Sequence, residues 1–119
     1  MEFKDHKAIY LQIAESLCER ILNGKWKAED RIPSVRELGA TLGVNPNTVA
    51  RTYDYLQQKE IIYNKRGIGY FVTPGARQKI VETLKDRFLE EELPAFIKQL
   101  TLLSIPFSEI ETYYNKHVK

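Results

Sequence analysis

The sequence predicts a mainly α-helical fold carrying one small β-hairpin, followed by a C-terminal two-helix hairpin, and three observations lead there. Two short amphipathic helices are separated by a tight Gly-containing turn between Pro33 and Leu56. Two β-prone runs flank a Gly-bearing turn between Ile61 and Val72. Beyond Pro74-Gly75, apolar residues recur at helical spacing. The first two together read as a winged helix-turn-helix.

A chain of 119 residues has room for one compact domain and an appendage. Its formal net charge is +2, with 11 Lys/Arg against 9 Asp/Glu in residues 1–75 and 7 of each in residues 76–119. Bulk charge therefore neither requires nor excludes nucleic acid, and a positive footprint has to come from local arrangement. The one cysteine, Cys18, excludes an internal disulfide and a multi-cysteine zinc site. Beside Leu17 and Ile21 it reads as a packing residue rather than a redox sensor. His6 and His117 stand near the two ends and read as surface residues, and Glu90-Glu91-Glu92 as a solvated helix face. With no paired carboxylates, no Gly-rich phosphate loop after a strand and no nucleophile beside a histidine, an enzyme is not expected, nor an organic cofactor or a metal. No apolar run of about 18 residues occurs, so a soluble cytoplasmic protein without a membrane partner is expected.

Residues 1–7 are polar. From Ala8 to Leu22, Ile9, Ile13, Leu17 and Ile21 recur at four-residue spacing and predict an amphipathic helix that Gly24 ends. Trp26 follows as a hydrophobic plug in a connector, Lys25 to Ile32, whose Lys27 and Arg31 read as phosphate contacts or, equally, as solvated side chains. Ser34 with Glu37 three residues on forms a capping box and starts the next helix. Gly43 ends it, Asn45 caps the following one, and Pro46 occupies that helix's first position, where a missing N–H costs nothing.

At 100° per residue, Val49, Thr52, Tyr53 and Leu56 of this second helix, 45–59, share one side, while Asn47, Arg51, Asp54 and Gln58 share the other. The first side buries and the second is presented. Ile61-Ile62-Tyr63 and Gly69-Tyr70-Phe71-Val72 then pair across Asn64 to Ile68, a wing over 61–73 with Lys65 and Arg66 at its tip and Gly67 allowing close approach.

The run Pro33-Ser34-Val35-Arg36-Glu37-Leu38, Gly43-Val44-Asn45-Pro46-Asn47-Thr48-Val49, Tyr53, Leu56 and Gly67-x-Gly69-x-Phe71-Val72 resembles the DNA-binding domain of GntR-family bacterial transcription regulators over about residues 8–74. The Asn-Pro-Asn-Thr run at 45–48 and the short tail resemble the short, YtrA-like subgroup. The resemblance implies operator contacts from the Arg at 36, the polar residues that open the recognition helix and the Gly-bearing wing tip. It also implies a connector antiparallel to the wing and, for the subgroup, control of a transporter operon. Two departures stand out: Pro46-Asn47 replaces the Arg common just after the turn, and Lys59-Glu60 replaces the Gly that usually follows the recognition helix.

Past Gly75, Ile80, Leu84, Phe88, Leu93, Phe96, Ile97, Leu100 and Leu103 predict a long helix over about 76–103 with a break at Pro94. Phe107, Ile110, Tyr113, Tyr114 and Val118 predict a second, starting near Pro106 or Ser108. So short a tail cannot hide that apolar surface alone and is expected to pack on the winged helix, on a second copy, or both.

The expected organisation is a DNA-binding domain over 1–75 and a dimerisation tail over 76–119. The expected function is a sequence-specific transcription regulator, a repressor, binding a double-stranded, pseudo-palindromic operator as a homodimer. Arg36, Asn45, Asn47, Thr48, Arg51, Lys65, Arg66 and Gly67 are the DNA-binding candidates. Ile80, Leu84, Phe88, Phe96, Leu100, Phe107, Ile110 and Tyr114 are the dimerisation candidates. The residues name no small-molecule effector. The competing reading is a winged-helix module for protein–protein interaction, which would not need Asn47, Thr48, Arg51 and Arg66 gathered on one face.

Overall fold

The structure, a computed structural model, describes residues 7–118, so His6 lies outside the described residues. The order is α1 (Ile9–Leu22), α2 (Val35–Leu42), α3 (Pro46–Gln58), β1 (Ile62–Lys65), β2 (Gly69–Val72), α4 (Ala76–Arg87), a π-helical segment (Phe88–Glu92), α5 (Leu93–Leu102) and α6 (Phe107–His117). The chain divides into two compact units, one through Glu82 and one from Thr83 on.

The first unit has a single core. Ile13, Leu17 and Ile21 of α1, Leu38 of α2, Val49, Tyr53 and Leu56 of α3, and Ile62 and Val72 of the hairpin are all buried in it. Each such side chain contributes roughly 2 kcal/mol by leaving water, before the entropy of ordering it. Trp26 packs against this core, with the Arg20 guanidinium 5.6 Å from its ring centroid. Cys18 also lines it; burial, with Glu15 nearby, pushes its thiol up to about 11, so it stays protonated.

Ala76 and Ile80 belong to the same core, Ile80 being 3% exposed. Ile80 therefore differs from the other residues expected at a dimer seam: its side chain is already spent on the first unit. The first unit accordingly runs past Pro74-Gly75 to include the opening turns of α4.

β1 and β2 pair antiparallel, Ile62 opposite Val72 and Lys65 opposite Gly69. The connector lies along the outer side of β2, also antiparallel. Arg31 bridges Phe71, the Glu29 and Ile32 amides donate to Val72 and Tyr70, and the Val72 amide donates to the Asp30 carbonyl. Asn64 and Lys65, expected in the turn, extend β1 instead, and the turn narrows to residues 66–68, closed by the Ile68 amide on the Lys65 carbonyl at 2.8 Å.

In the second unit the long helix expected across 76–103 is interrupted. Pro94 has no N–H and its ring would meet the carbonyl one turn back, so the preceding turn widens into the π-helical segment, where the Leu93 amide reaches Phe88. α5 then begins afresh with Pro94 in its first turn. It ends in a Schellman motif: Ser104 takes a φ of 55°, and the Ser104 and Ile105 amides donate to Thr101 and Leu100. Among the described residues from 83 on, none is buried; Leu84, Phe88, Phe96, Phe107 and Tyr114 are exposed and Leu100 and Ile110 half-buried. No helix among the described residues is long and apolar enough to cross a membrane.

Candidate nucleic-acid interface

The interface is built on the α2–α3 pair. The Ser34 hydroxyl accepts from the Glu37 amide at 3.1 Å while the Glu37 carboxylate accepts from the Ser34 amide at 2.9 Å, so both parts of the capping box form. The Ser34 amide first, and then its hydroxyl, hold the Glu37 carboxyl below its ordinary range. Arg36 projects exposed from the first turn of α2.

Gly43 ends α2 with a φ of 70°, and the Val44 amide returns to the Gly39 carbonyl at 3.0 Å. Gly39 is a determinant that sequence reasoning missed. It is buried, and a Cβ there would stand 3.0 Å from the Val44 carbonyl oxygen and 3.5 Å from Pro46. A glycine lets the turn fold back this tightly on α2 without the neighbouring backbone giving way. The available signal was a Gly inside a helical pattern, which points to close packing.

Asn45 caps α3, its side-chain oxygen accepting from the Asn47 amide at 2.8 Å. Its NH₂ donors take no part in that bond. Asn47 and Arg51 are exposed and Thr48 is half-buried, while Val49, Thr52, Tyr53 and Leu56 are buried. The predicted division of the helix into a packed and a presented side is therefore what the chain adopts. Three anchors hold the packed side. The Thr52 hydroxyl lies 3.0 Å from the carbonyls of Thr48 and Tyr10, the Tyr53 phenol donates to the Pro33 carbonyl at 2.7 Å, and the Tyr53 ring meets Tyr70 edge-on at 4.8 Å. Burial pushes the Tyr53 phenol well above its ordinary value, so it remains a donor.

Arg51 carries its guanidinium over the Tyr10 ring, 4.0 Å from the centroid. Lys65 lies on β1 with its ammonium 4.9 Å from the Phe71 centroid, and Phe71 stacks on Tyr63. Arg66 and Gly67 are exposed in the wing turn, Gly67 with a φ of 80°. The Arg31 side chain lies over Gly69, beside the wing turn, where a Cβ would come within 3.1 Å of the guanidinium Nε.

α3 also ends without glycine. Glu60 adopts a φ of 61°, its amide and that of Ile61 donate to Gln57 and Leu56, and Leu56 and Ile61 are both buried, which completes a Schellman motif. Glu60 Oε1 accepts from Lys79 Nζ at 2.6 Å. Among the described residues no group of three or more His, Cys, Asp or Glu side chains is placed to hold a metal.

Residues 9–72 match the model of the family described as bacterial regulatory proteins, gntR family. An HTH-type transcriptional regulator of Bacillus subtilis, YhcF, is 38% identical over 109 residues, covering 92% of this chain and 88% of that one. The transcriptional repressor YtrA of the same organism is 38% identical over 89 residues, 75% and 68% of the two chains. Among solved structures, a Bacteroides thetaiotaomicron chain described as a GntR-family regulator superposes with a TM-score of 0.79 at 51% identity, covering 92% of this chain and 95% of that one. The DNA-binding domain of AraR in complex with operator ORR3 superposes with a TM-score of 0.55 at 26% identity, covering 61% and 88%.

Proposed function

Since the chain belongs to the GntR family of bacterial regulatory proteins and is a DNA-binding transcription regulator, we propose that it reads a pseudo-palindromic operator as a homodimer and represses from it. The observation that carries this reading is the exposed polar surface at the start of α3, Asn47 and Arg51 standing clear while the opposite side is locked into the core. In helix-turn-helix proteins that end of the helix enters the major groove. Asn47 and Arg36 make the base or base-adjacent hydrogen bonds, Thr48 and the Asn45 NH₂ support them, and Arg51, Lys65 and Arg66 hold the phosphate backbone. Gly67 lets the wing approach closely.

The tail beyond Ile80 is the dimerisation element, through Leu84, Phe88, Phe96, Leu100, Phe107, Ile110 and Tyr114. Leu84, Phe88, Phe96, Phe107 and Tyr114 are exposed, Leu100 and Ile110 are half-buried, and no described residue from 83 on is buried; this supports the reading, because an apolar surface of that kind ordinarily has a partner. Repression is supported by the likeness to YtrA of Bacillus subtilis. The target is a transporter operon and the site of action the cytoplasm, as the short subgroup implies.

Selection from a pool of random-sequence duplexes tests the reading. It should enrich an inverted repeat with half-site centres about 10 base pairs, or a multiple, apart. If no sequence were enriched even at low salt, the protein-interaction module would be the better account.

A further inference from the structure

The Arg51 side chain is presented on the outer side of α3, yet its charge is not left to wander. Its guanidinium carbon stands 4.0 Å from the centroid of Tyr10, a residue of the first turn of α1. Tyr10 is itself held twice. Its ring meets Tyr55 edge-on, 6.1 Å between centroids at 75°, and its carbonyl lies 3.0 Å from the hydroxyl of Thr52, the residue next to Arg51. A ring packed against Tyr55 and tied through its own backbone therefore supplies a restrained platform. We propose that Tyr10 is the positioning residue that holds Arg51 ready for a DNA phosphate.

The chemistry suits that role. A guanidinium over an aromatic ring uses its flat face for the contact, while its N–H donors lie in the guanidinium plane and stay directed outward. Stacking thus restrains a long, rotamer-rich side chain without using up the groups that would grip a phosphate. The restraint is in place before DNA arrives, so ordering Arg51 costs less on binding. This inference rests on the assignment of α3 as the DNA-reading helix, and it adds a member of α1 to the interface.

The test is a salt titration of the full chain against a fluorescein-labelled mixed-sequence duplex of about 30 base pairs, comparing the parent with four variants. Arg51→Ala should weaken binding and lower the slope of log affinity against log salt by about one unit, the loss of one phosphate contact. Tyr10→Phe keeps the ring and should bind within about twofold of the parent. Tyr10→Leu removes the π face and should bind about fivefold more weakly at every salt concentration, with the parent slope. In the Arg51→Ala background, Tyr10→Leu should cost nothing further. Equal losses from Tyr10→Leu in both backgrounds would mark a merely structural residue and overturn the proposal. So would parent-like binding by Tyr10→Leu while Arg51→Ala is weakened. Should Arg51→Ala itself bind like the parent, the assignment of the α3 face fails, and this inference with it.

Discussion

The Tyr53 phenol, on the packed side of α3, reaches the carbonyl of Pro33, just ahead of the α2 cap, at 2.7 Å. One hydrogen bond thereby joins the middle of α3 to the start of α2. Tyr53→Phe would leave the Pro33 carbonyl without that donor, and a loss of about 1 to 2 kcal/mol is expected in urea unfolding. An unchanged midpoint would show that solvent replaces the phenol.

Gly39→Ala sets two effects against each other. Alanine favours the helix by about 1 kcal/mol, whereas the added methyl meets the Val44 carbonyl at 3.0 Å. The neighbour is backbone, tied back by the Val44 amide and followed by Pro46, so it gives little. The clash should win, destabilising the protein by about 1 kcal/mol net and weakening DNA binding by tilting α3. A variant more stable than the parent would show that the turn yields.

Glu60 occupies a left-handed position that glycine adopts without a Cβ penalty. Glu60→Ala loses the Lys79 ion pair but keeps the Cβ, while Glu60→Gly loses both. The exposed ion pair contributes little, so Glu60→Gly should melt roughly 3 to 5 °C above Glu60→Ala. Equal melting temperatures for the two would mean that the backbone at this position carries no cost.

The capping box makes stability depend on acid. The folded pKa of Glu37 is lowered, first by the Ser34 amide and then by its hydroxyl, from an ordinary value of 4.5. Its contribution is therefore present above that value and lost as pH falls through the lower folded one. Glu37→Gln still accepts from the Ser34 amide but does not titrate. The melting advantage of the parent over Glu37→Gln should shrink on acidification below about pH 4.5, and an advantage that grew would reverse the assignment.

Phe107 is 70% exposed, so Phe107→Glu should leave melting of the isolated chain nearly unchanged. If it lies in the dimer seam, sedimentation should shift towards monomer. Affinity for an inverted repeat should fall at least tenfold, and more steeply than for a single half-site. A variant that stayed dimeric would move the seam elsewhere.

Much of this architecture was legible because local chemistry dictated it. Ser34 with Glu37, Gly43, and Asn45 with Pro46 each state a helix end within four residues, and the chain obeys every one. What escaped depended on contacts that the helical and turn patterns do not specify. Ile80 looks like any other apolar residue of the tail periodicity, and only the core of the first unit claims it. Gly39 reads as an ordinary helix residue until Val44 returns on it. Asn64 and Gly67 are turn formers and predict Lys65 in the turn, yet pairing with β2 carries the strand two residues further. The helical period puts Arg51 on the outer side of its helix, but nothing nearby in sequence announces Tyr10 beneath it.

Trp26 is the chain's single tryptophan, and it sits in the connector that pairs with β2. Excited at the red edge, where tyrosines no longer absorb, its emission reports from within the first unit while Tyr113 and Tyr114 of the second stay dark. A melt followed by that light, set beside one followed by helical circular dichroism, would reveal whether the two units let go together or in turn, with no dye attached to either.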